Sequence, residues 1–171
     1  EVVTLGGGKG GINIDESLPL HPNNPRYVVL HVNQAGEGVG LANPGFDGIT
    51  LQAGEKYNFS FFGRQLYMNA RWGADSSIEG KPMPIRVRLE GKGGKILAES
   101  PVEITGREWQ KISGTLTPNE TENSARFVIY AQARGGIALD EISLFPEKTF
   151  RSRKNGLRAD LAQTIADLKP R

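Results

Sequence analysis

The chain contains no cysteine. That excludes disulfides, thiolate zinc sites and cysteine nucleophiles together. Histidine is nearly as scarce. His21 stands in a proline-rich stretch and His31 in a predicted strand, and the two are not at metal-ligand spacing. No apolar run approaches the roughly 18 residues that span a bilayer, so no membrane partner is expected. A surplus of one charge is missing as well, because 21 Lys and Arg face 19 Asp and Glu. The basic cluster Arg151-Ser152-Arg153-Lys154 reads as a solvated loop, and nucleic acid is not an expected partner. The sequence also lacks G-x-S-x-G, H-E-x-x-H and a P-loop. Gly6-Gly7-Gly8-Lys9-Gly10-Gly11 has glycine enough for a phosphate loop, but no predicted strand precedes it and no predicted helix follows. With no nucleophile, base and orienter in a recognisable pattern, this chain is not expected to be an enzyme.

What the sequence has in quantity is turn formers, with 22 glycines and 10 prolines in 171 residues. That composition suits short strands joined by turns better than a helical bundle. In residues 1–26 only Gly11 to Ile14 reads as a short strand. Tyr27 to Asn33 is the first strong one, with Val28, Leu30 and Val32 on one face and Val29 and His31 on the other. Gly38 to Ala42 follows, then the turn Asn43-Pro44-Gly45 and a short strand from Phe46 to Gln52.

The clearest period-two segment is Lys56 to Arg64, where Tyr57, Phe59 and Phe61 alternate with Asn58, Ser60 and Phe62. Gln65 to Pro84 reads as a long polar connection carrying Tyr67 and Trp72. Ile85, Val87 and Leu89 then alternate with Arg86, Arg88 and Glu90, and Gly91-Lys92-Gly93-Gly94 is a hairpin turn. Lys95 to Val102, Trp109 to Leu116, Arg126 to Ala133 and Ile137 to Phe145 complete a set expected to form a sandwich or barrel. After residue 147 the period changes. Leu157, Leu161, Ile165 and Leu168 recur at helical spacing until Pro170.

Several stretches resemble one family. Asn43-Pro44-Gly45-Phe46-Asp47-Gly48-Ile49, Gly54-Glu55-Lys56-Tyr57, Phe59-Ser60-Phe61-Phe62-Gly63-Arg64 and Leu139-Asp140-Glu141-Ile142-Ser143-Leu144-Phe145-Pro146 look like the N-terminal module of α-L-arabinofuranosidases of glycoside hydrolase family 51. The strongest likeness is Arg153-Lys154-Asn155-Gly156-Leu157-Arg158, Asp160-Leu161 and Ala166-Asp167-Leu168-Lys169-Pro170. The resemblance implies a jelly-roll β-sandwich over residues 1–147, similar to family 4 carbohydrate-binding modules. Residues 148–171 are then a linker and the first helix of a truncated catalytic (β/α)8 barrel. It further implies that the chain is a piece of a longer arabinofuranosidase whose catalytic carboxylates lie elsewhere. The setting it implies is bacterial and extracellular or periplasmic. The expected partners are a plant cell-wall polysaccharide such as arabinoxylan or arabinan, and the enzyme's own barrel.

No cofactor is required on this reading, although the resemblance implies a structural calcium at Asp140, with partner oxygens from an N-terminal strand that reads as missing or abbreviated. Asp47 stands where many relatives carry Trp, which removes one stacking ring.

Period-two alternation also sorts the side chains. Tyr57, Phe59, Phe61, Ile85, Val87, Leu89, Phe127 and Ile129 point inward. Asn58, Ser60, Phe62, Arg64, Arg86, Arg88, Glu90, Arg126, Val128, Tyr130 and Gln132 point outward. If these strands share a sheet, Phe62, Arg64, Arg86, Arg88, Tyr130 and Gln132 line one glycan cleft of aromatic faces, guanidinium groups and an amide. Tyr67 and Trp72 offer a second stacking site. The plainer alternatives are a salt-bridged surface, or a face packed on the barrel. Trp109 is expected at a sandwich edge and His31 as a satisfied surface histidine.

Overall fold

The computed structural model describes residues 1–68, 81–149, 163, 164 and 167. The expected C-terminal helix and its assignment to a truncated barrel lie outside the continuously described residues. Eleven strands are found among the described residues: β1 (Val2–Leu5), β2 (Lys9–Asp15), β3 (Tyr27–Gln34), β4 (Gly38–Asn43), β5 (Ile49–Leu51), β6 (Tyr57–Met68), β7 (Met83–Glu90), β8 (Ile96–Ile104), β9 (Gln110–Leu116), β10 (Glu122–Ala131) and β11 (Gly135–Pro146). They form two antiparallel sheets. The first runs β1-β4-β10-β7-β8, with β5 also paired to β10, and the second runs β2-β3-β11-β6-β9. The expected all-β jelly-roll sandwich is what forms.

Alternation explains the core. Phe59, Phe61, Ile85, Val87, Leu89, Phe127 and Ile129 are all buried in one cluster, joined from β11 by Ile137 and Leu139. Each strand turns every second side chain into the space between the sheets, where apolar area leaves water. Pro101 is tolerated in β8 because that strand is at a sheet edge, paired only to β7. Asp140 and Ser143 flank a bulge in β11, with Glu141 in the left-handed region at φ 46. The Asp140 Oδ1 accepts the Glu141 backbone N–H at 2.8 Å and closes that bend.

Three sequence expectations need correction. The first is that residues 1–26 hold two strands rather than one, so β1 does precede the Gly6–Gly11 stretch. A strand, β2, begins at Lys9 within the glycine stretch, where a phosphate loop needs a helix. The second is that β6 runs four residues beyond Arg64. A register shift between Gln65 and Tyr67 breaks its alternation, which hides the continuation from a period-two search. The third is the segment Phe46 to Gln52, where only Ile49–Leu51 pairs as a strand while Phe46 projects fully into solvent.

Candidate functional site

The single cleft expected from alternation does not exist, because its residues belong to different sheets. Phe62 and Arg64 are on β6 in the second sheet, whereas Arg86, Arg88 and Tyr130 are in the first sheet and Gln132 directly follows β10. All are outward-facing as expected, but on opposite outer faces of the sandwich. Alternation tells inside from outside. It carries no information on which sheet a strand joins.

The outer face of the first sheet is a closed ladder of charges. Arg86 Nη1 donates to Glu99 Oε1 at 2.6 Å, and its Nε donates to Gln132 Oε1 at 3.3 Å. Arg88 Nε donates to Glu99 Oε2 at 2.5 Å. Arg126 reaches Glu90 Oε2 at 2.9 Å and Glu1 Oε1 at 3.4 Å. Glu90 is 1% exposed and also accepts the Tyr130 hydroxyl proton at 2.9 Å. Burial, with the Glu90 hydrogen bond behind it, pushes the Tyr130 phenol up to about 12. Burial works against ionisation of Glu99, but hydrogen bonds from Arg88 and Arg86 outweigh it and hold this carboxyl below its usual range. Tyr130 lies across Gly40, where a Cβ atom would come within 2.7 Å of the ring, and the Arg88 guanidinium covers the ring at 5.3 Å. This face therefore has the salt-bridged character of the plainer alternative, and its one tyrosine is covered.

On the second sheet, strand register sets the outer residues in rows. One row is Asn13 on β2, Val29 on β3, Ala138 on β11 and Arg64 on β6; the next begins with Gly11, His31 and Gly136. Arg64 is buried. Its guanidinium lies 5.5 Å from the Tyr27 ring centroid and 5.1 Å from that of Trp109, and those two rings meet edge to face at 5.3 Å. Arg64 Nη2 donates to the Tyr27 hydroxyl at 3.1 Å, which donates in turn to Asp15 Oδ2 at 3.0 Å. Burial disfavours ionisation of Asp15, but backbone N–H groups of Ser17 and Glu16 together with Tyr27 draw its carboxyl below the usual range. Trp109 thus serves an outer cluster with Tyr27, Val29, Ala138 and Leu66. Phe62 is half-buried, with Lys111 Nζ 5.9 Å from its ring centroid.

In the row beyond, an open trough of about 370 Å³ is lined by Gly10, Gly11, Ile12, Asn13, His31, Asn33 and Tyr67. Nothing lies within 4 Å of a Cβ built on Gly11, so the floor is open there. His31 is fixed between two partners. Its Nε2 donates to Asn13 Oδ1, which leaves Nδ1 to accept the Tyr67 hydroxyl proton at 2.9 Å. Burial lowers the His31 pKa and raises that of Tyr67, the latter opposed by Arg134. The Tyr67 ring is buried flat over Gly136, where a Cβ would approach within 2.2 Å. Tyr67 lines the trough with its hydroxyl engaged by His31. Trp72, the other half of the expected stacking pair, lies outside the described residues.

Asn13 and Asn33 are trough residues that sequence reading missed. The signal was present for Asn13, in the strand reading Gly11 to Ile14, but only the pairing of Gly11 with His31 brings the two strands' polar groups together. Among the described residues, no group of three His, Asp or Glu side chains is placed to hold a metal ion. Asp140 is engaged with the Glu141 backbone.

No protein-family model matches the chain. It is 32% identical over 158 residues to an extracellular exo-α-L-arabinofuranosidase of Streptomyces chartreusis, covering 92% of this chain and 16% of that protein. It is 31% identical over 134 residues to α-L-arabinofuranosidase 2 of Arabidopsis thaliana, covering 78% of this chain and 18% of that one. The chain therefore spans less than a fifth of these two relatives. An arabinose-bound GH51 α-L-arabinofuranosidase structure superposes with TM-score 0.77 at 28% identity, over 99% of this chain and 26% of that one. A CBM22-1 xylan-binding domain from Paenibacillus barcinonensis, 15% identical with TM-score 0.55 over 86% of each chain, shares the fold alone. The expected likeness to a segment of the GH51 arabinofuranosidases is borne out.

Proposed function

We propose, on the premise that this chain corresponds to one segment of an α-L-arabinofuranosidase, that it is a non-catalytic carbohydrate-binding module for arabinose-containing plant cell-wall polysaccharides such as arabinoxylan and arabinan. The observation that carries this reading is the trough on the second sheet. Two carboxamides, an imidazole and a phenol hydroxyl converge on an open space of about 370 Å³. Planar polar groups of this kind pair with vicinal sugar hydroxyls, donating to one and accepting from its neighbour. Every such bond replaces a bond to water, so binding is weak, in the range of millimolar dissociation constants, roughly 4 kcal/mol. The module keeps the parent hydrolase near its polymer outside the cell, a setting supported by the extracellular Streptomyces relative.

Titration of the chain with xylo- and arabino-oligosaccharides, followed by two-dimensional NMR, tests the reading. Shifts of the Asn13 and Asn33 side-chain amides and of the His31 ring are expected. Absence of any shift at millimolar sugar overturns it.

A second reading is a structural module that braces the catalytic barrel or its oligomer without sugar affinity. It is favoured by Phe46, which is 100% exposed at the tip of the β4–β5 turn, and by Ile14 and Leu18, which are 59% and 64% exposed. Apolar groups held in water at fixed positions suit a protein contact. Removing the module from the full enzyme would then lower its melting temperature and leave polymer binding unchanged.

A further inference from the structure

The connection after β2 crosses the outer face of the second sheet and ends on Arg64. The Leu18 carbonyl accepts from Trp109 Nε1 at 3.0 Å and from Arg64 Nη2 at 3.5 Å. That carbonyl belongs to a residue whose apolar side chain is 64% exposed, so apolar burial does not hold this segment down. What holds it are polar contacts: Asp15 Oδ1 accepts the N–H groups of Glu16 and Ser17 at 2.7 and 3.0 Å, and the Tyr27 hydroxyl accepts the Leu18 N–H at 3.4 Å. Beneath the Leu18 carbonyl, Arg64 is 6% exposed, and no Asp or Glu forms an ion pair with it among the described residues. Its Nε is buried without a hydrogen-bond partner. A buried guanidinium with an idle donor is costly, and stacking on two rings offsets only part of that cost. An unsatisfied buried group calls for a physical explanation, and a ligand that approaches it is one.

We propose that Arg64, Tyr27 and Trp109 form a sugar subsite next to the trough, closed in the free protein by the strap Glu16–Leu18, whose Leu18 carbonyl stands where a sugar oxygen binds. The inference rests on the glycan-binding reading above. Facing the Leu18 carbonyl, the subsite presents two donors, the guanidinium fork and an indole N–H, beside two aromatic rings and the Tyr27 hydroxyl. It therefore takes acceptor oxygens, from either a hydroxyl pair or a uronate carboxylate, on a ring with an apolar face. Asn13 of the trough lies in the same row as Arg64, so one oligosaccharide runs from the trough under the displaced strap. Because the strap must leave first, the apparent affinity is reduced by the fraction of molecules in which it is open.

The test is to loosen the strap and measure affinity. Asp15→Ala removes the carboxylate that pins Glu16 and Ser17; it also removes the acceptor of the Tyr27 hydroxyl, while Arg64 and Trp109 keep their donors. Calorimetric titrations would use arabinoxylo-oligosaccharide and the same oligosaccharide bearing one uronic acid branch. Asp15→Ala is expected to tighten binding about threefold or more, since opening the strap is no longer opposed. Trp109→Phe keeps the ring but removes the N–H, and is expected to weaken binding at least as much in the Asp15→Ala background. A gain in affinity cannot come from misfolding, so the Asp15→Ala effect stands apart from a loss of structure, and an unchanged thermal melt separates the Trp109→Phe loss from one. Preference for the branched probe assigns the acceptor as a carboxylate, and equal binding assigns it as hydroxyls. Unchanged or weaker binding by Asp15→Ala overturns the strap proposal while the module remains a glycan binder. No binding of either probe to wild type or variants overturns both.

Discussion

Arg88 lies over the ring of Tyr130, its guanidinium carbon 5.3 Å from the ring centroid, while the Tyr130 hydroxyl donates to the buried Glu90. That stack turns an outward-facing tyrosine into part of a second, small core with Ala42 and Val128. It also explains why the row of arginines on this face carries no open platform. The guanidinium groups are held by Glu99, Glu90 and Glu1, and the ring beneath them is roofed.

Replacing Tyr130 with Phe keeps the ring and removes the donor to Glu90. A buried carboxylate loses one hydrogen bond but keeps Arg126, so the cost is expected to be about 1–2 kcal/mol. Urea denaturation of the variant against wild type measures it. Gly40→Ala strikes the same ring from below and is expected to cost about 1–3 kcal/mol by overpacking. Because both changes act on one ring, their effects should not add.

Glu99 provides a pH signature. Hydrogen bonds from Arg88 and Arg86 outweigh burial and set its folded pKa below the ordinary 4.5. Its contribution is therefore complete above pH 4.5 and is lost as pH falls through the lower, folded value. In Glu99→Gln, stability should fall less steeply on acidification below pH 4.5 than in wild type. An unchanged acid limb in a pH series of thermal melts would count against the ladder.

His31 titrates in the trough with the same sign. Burial lowers its pKa from 6.5, so the neutral ring is favoured in the folded chain. Stability from this group is complete above pH 6.5 and declines as pH falls through the folded value. Protonation puts a hydrogen on Nδ1 and ends its acceptance from the Tyr67 hydroxyl. An NMR titration of the His31 ring should show a midpoint below 6.5, and sugar binding in the trough should weaken over the same range.

Phe61 tests the core. It is 0% exposed and packs with neighbours from both sheets. Phe61→Ala should cost about 3–5 kcal/mol, since the sheets cannot close over the space it leaves. Chemical denaturation of the folded variant, or its failure to fold at all, is the readout; a loss under 1 kcal/mol, about a fifth to a third of that figure, would contradict this packing.

Particular residues show how far the sequence could be read. Phe59, Phe61, Ile85, Val87 and Leu89 alternate with polar partners, and all of them are in the core. Arg86 and Arg88 were legible as outward-facing for the same reason. Tyr67 and Met68 were not legible as strand, because the register shift after Gln65 puts two consecutive residues out of phase. Asn33 was not legible as a site residue, because a lone asparagine at a strand end signals a turn as readily as a ligand contact.

Composition and alternation alone determined that the chain is an all-β protein, sandwich or barrel, and which residues of its clearest strands face inward. A strand's side chains have a period of two whatever it pairs with. Tertiary structure decided that Phe62 and Arg86 stand on opposite outer faces, that Asn13 meets His31, and that Leu18 caps Arg64. Backbone hydrogen bonds are chemically alike in every strand, so local sequence leaves the partner open. The choice is made only when distant apolar faces close on one another.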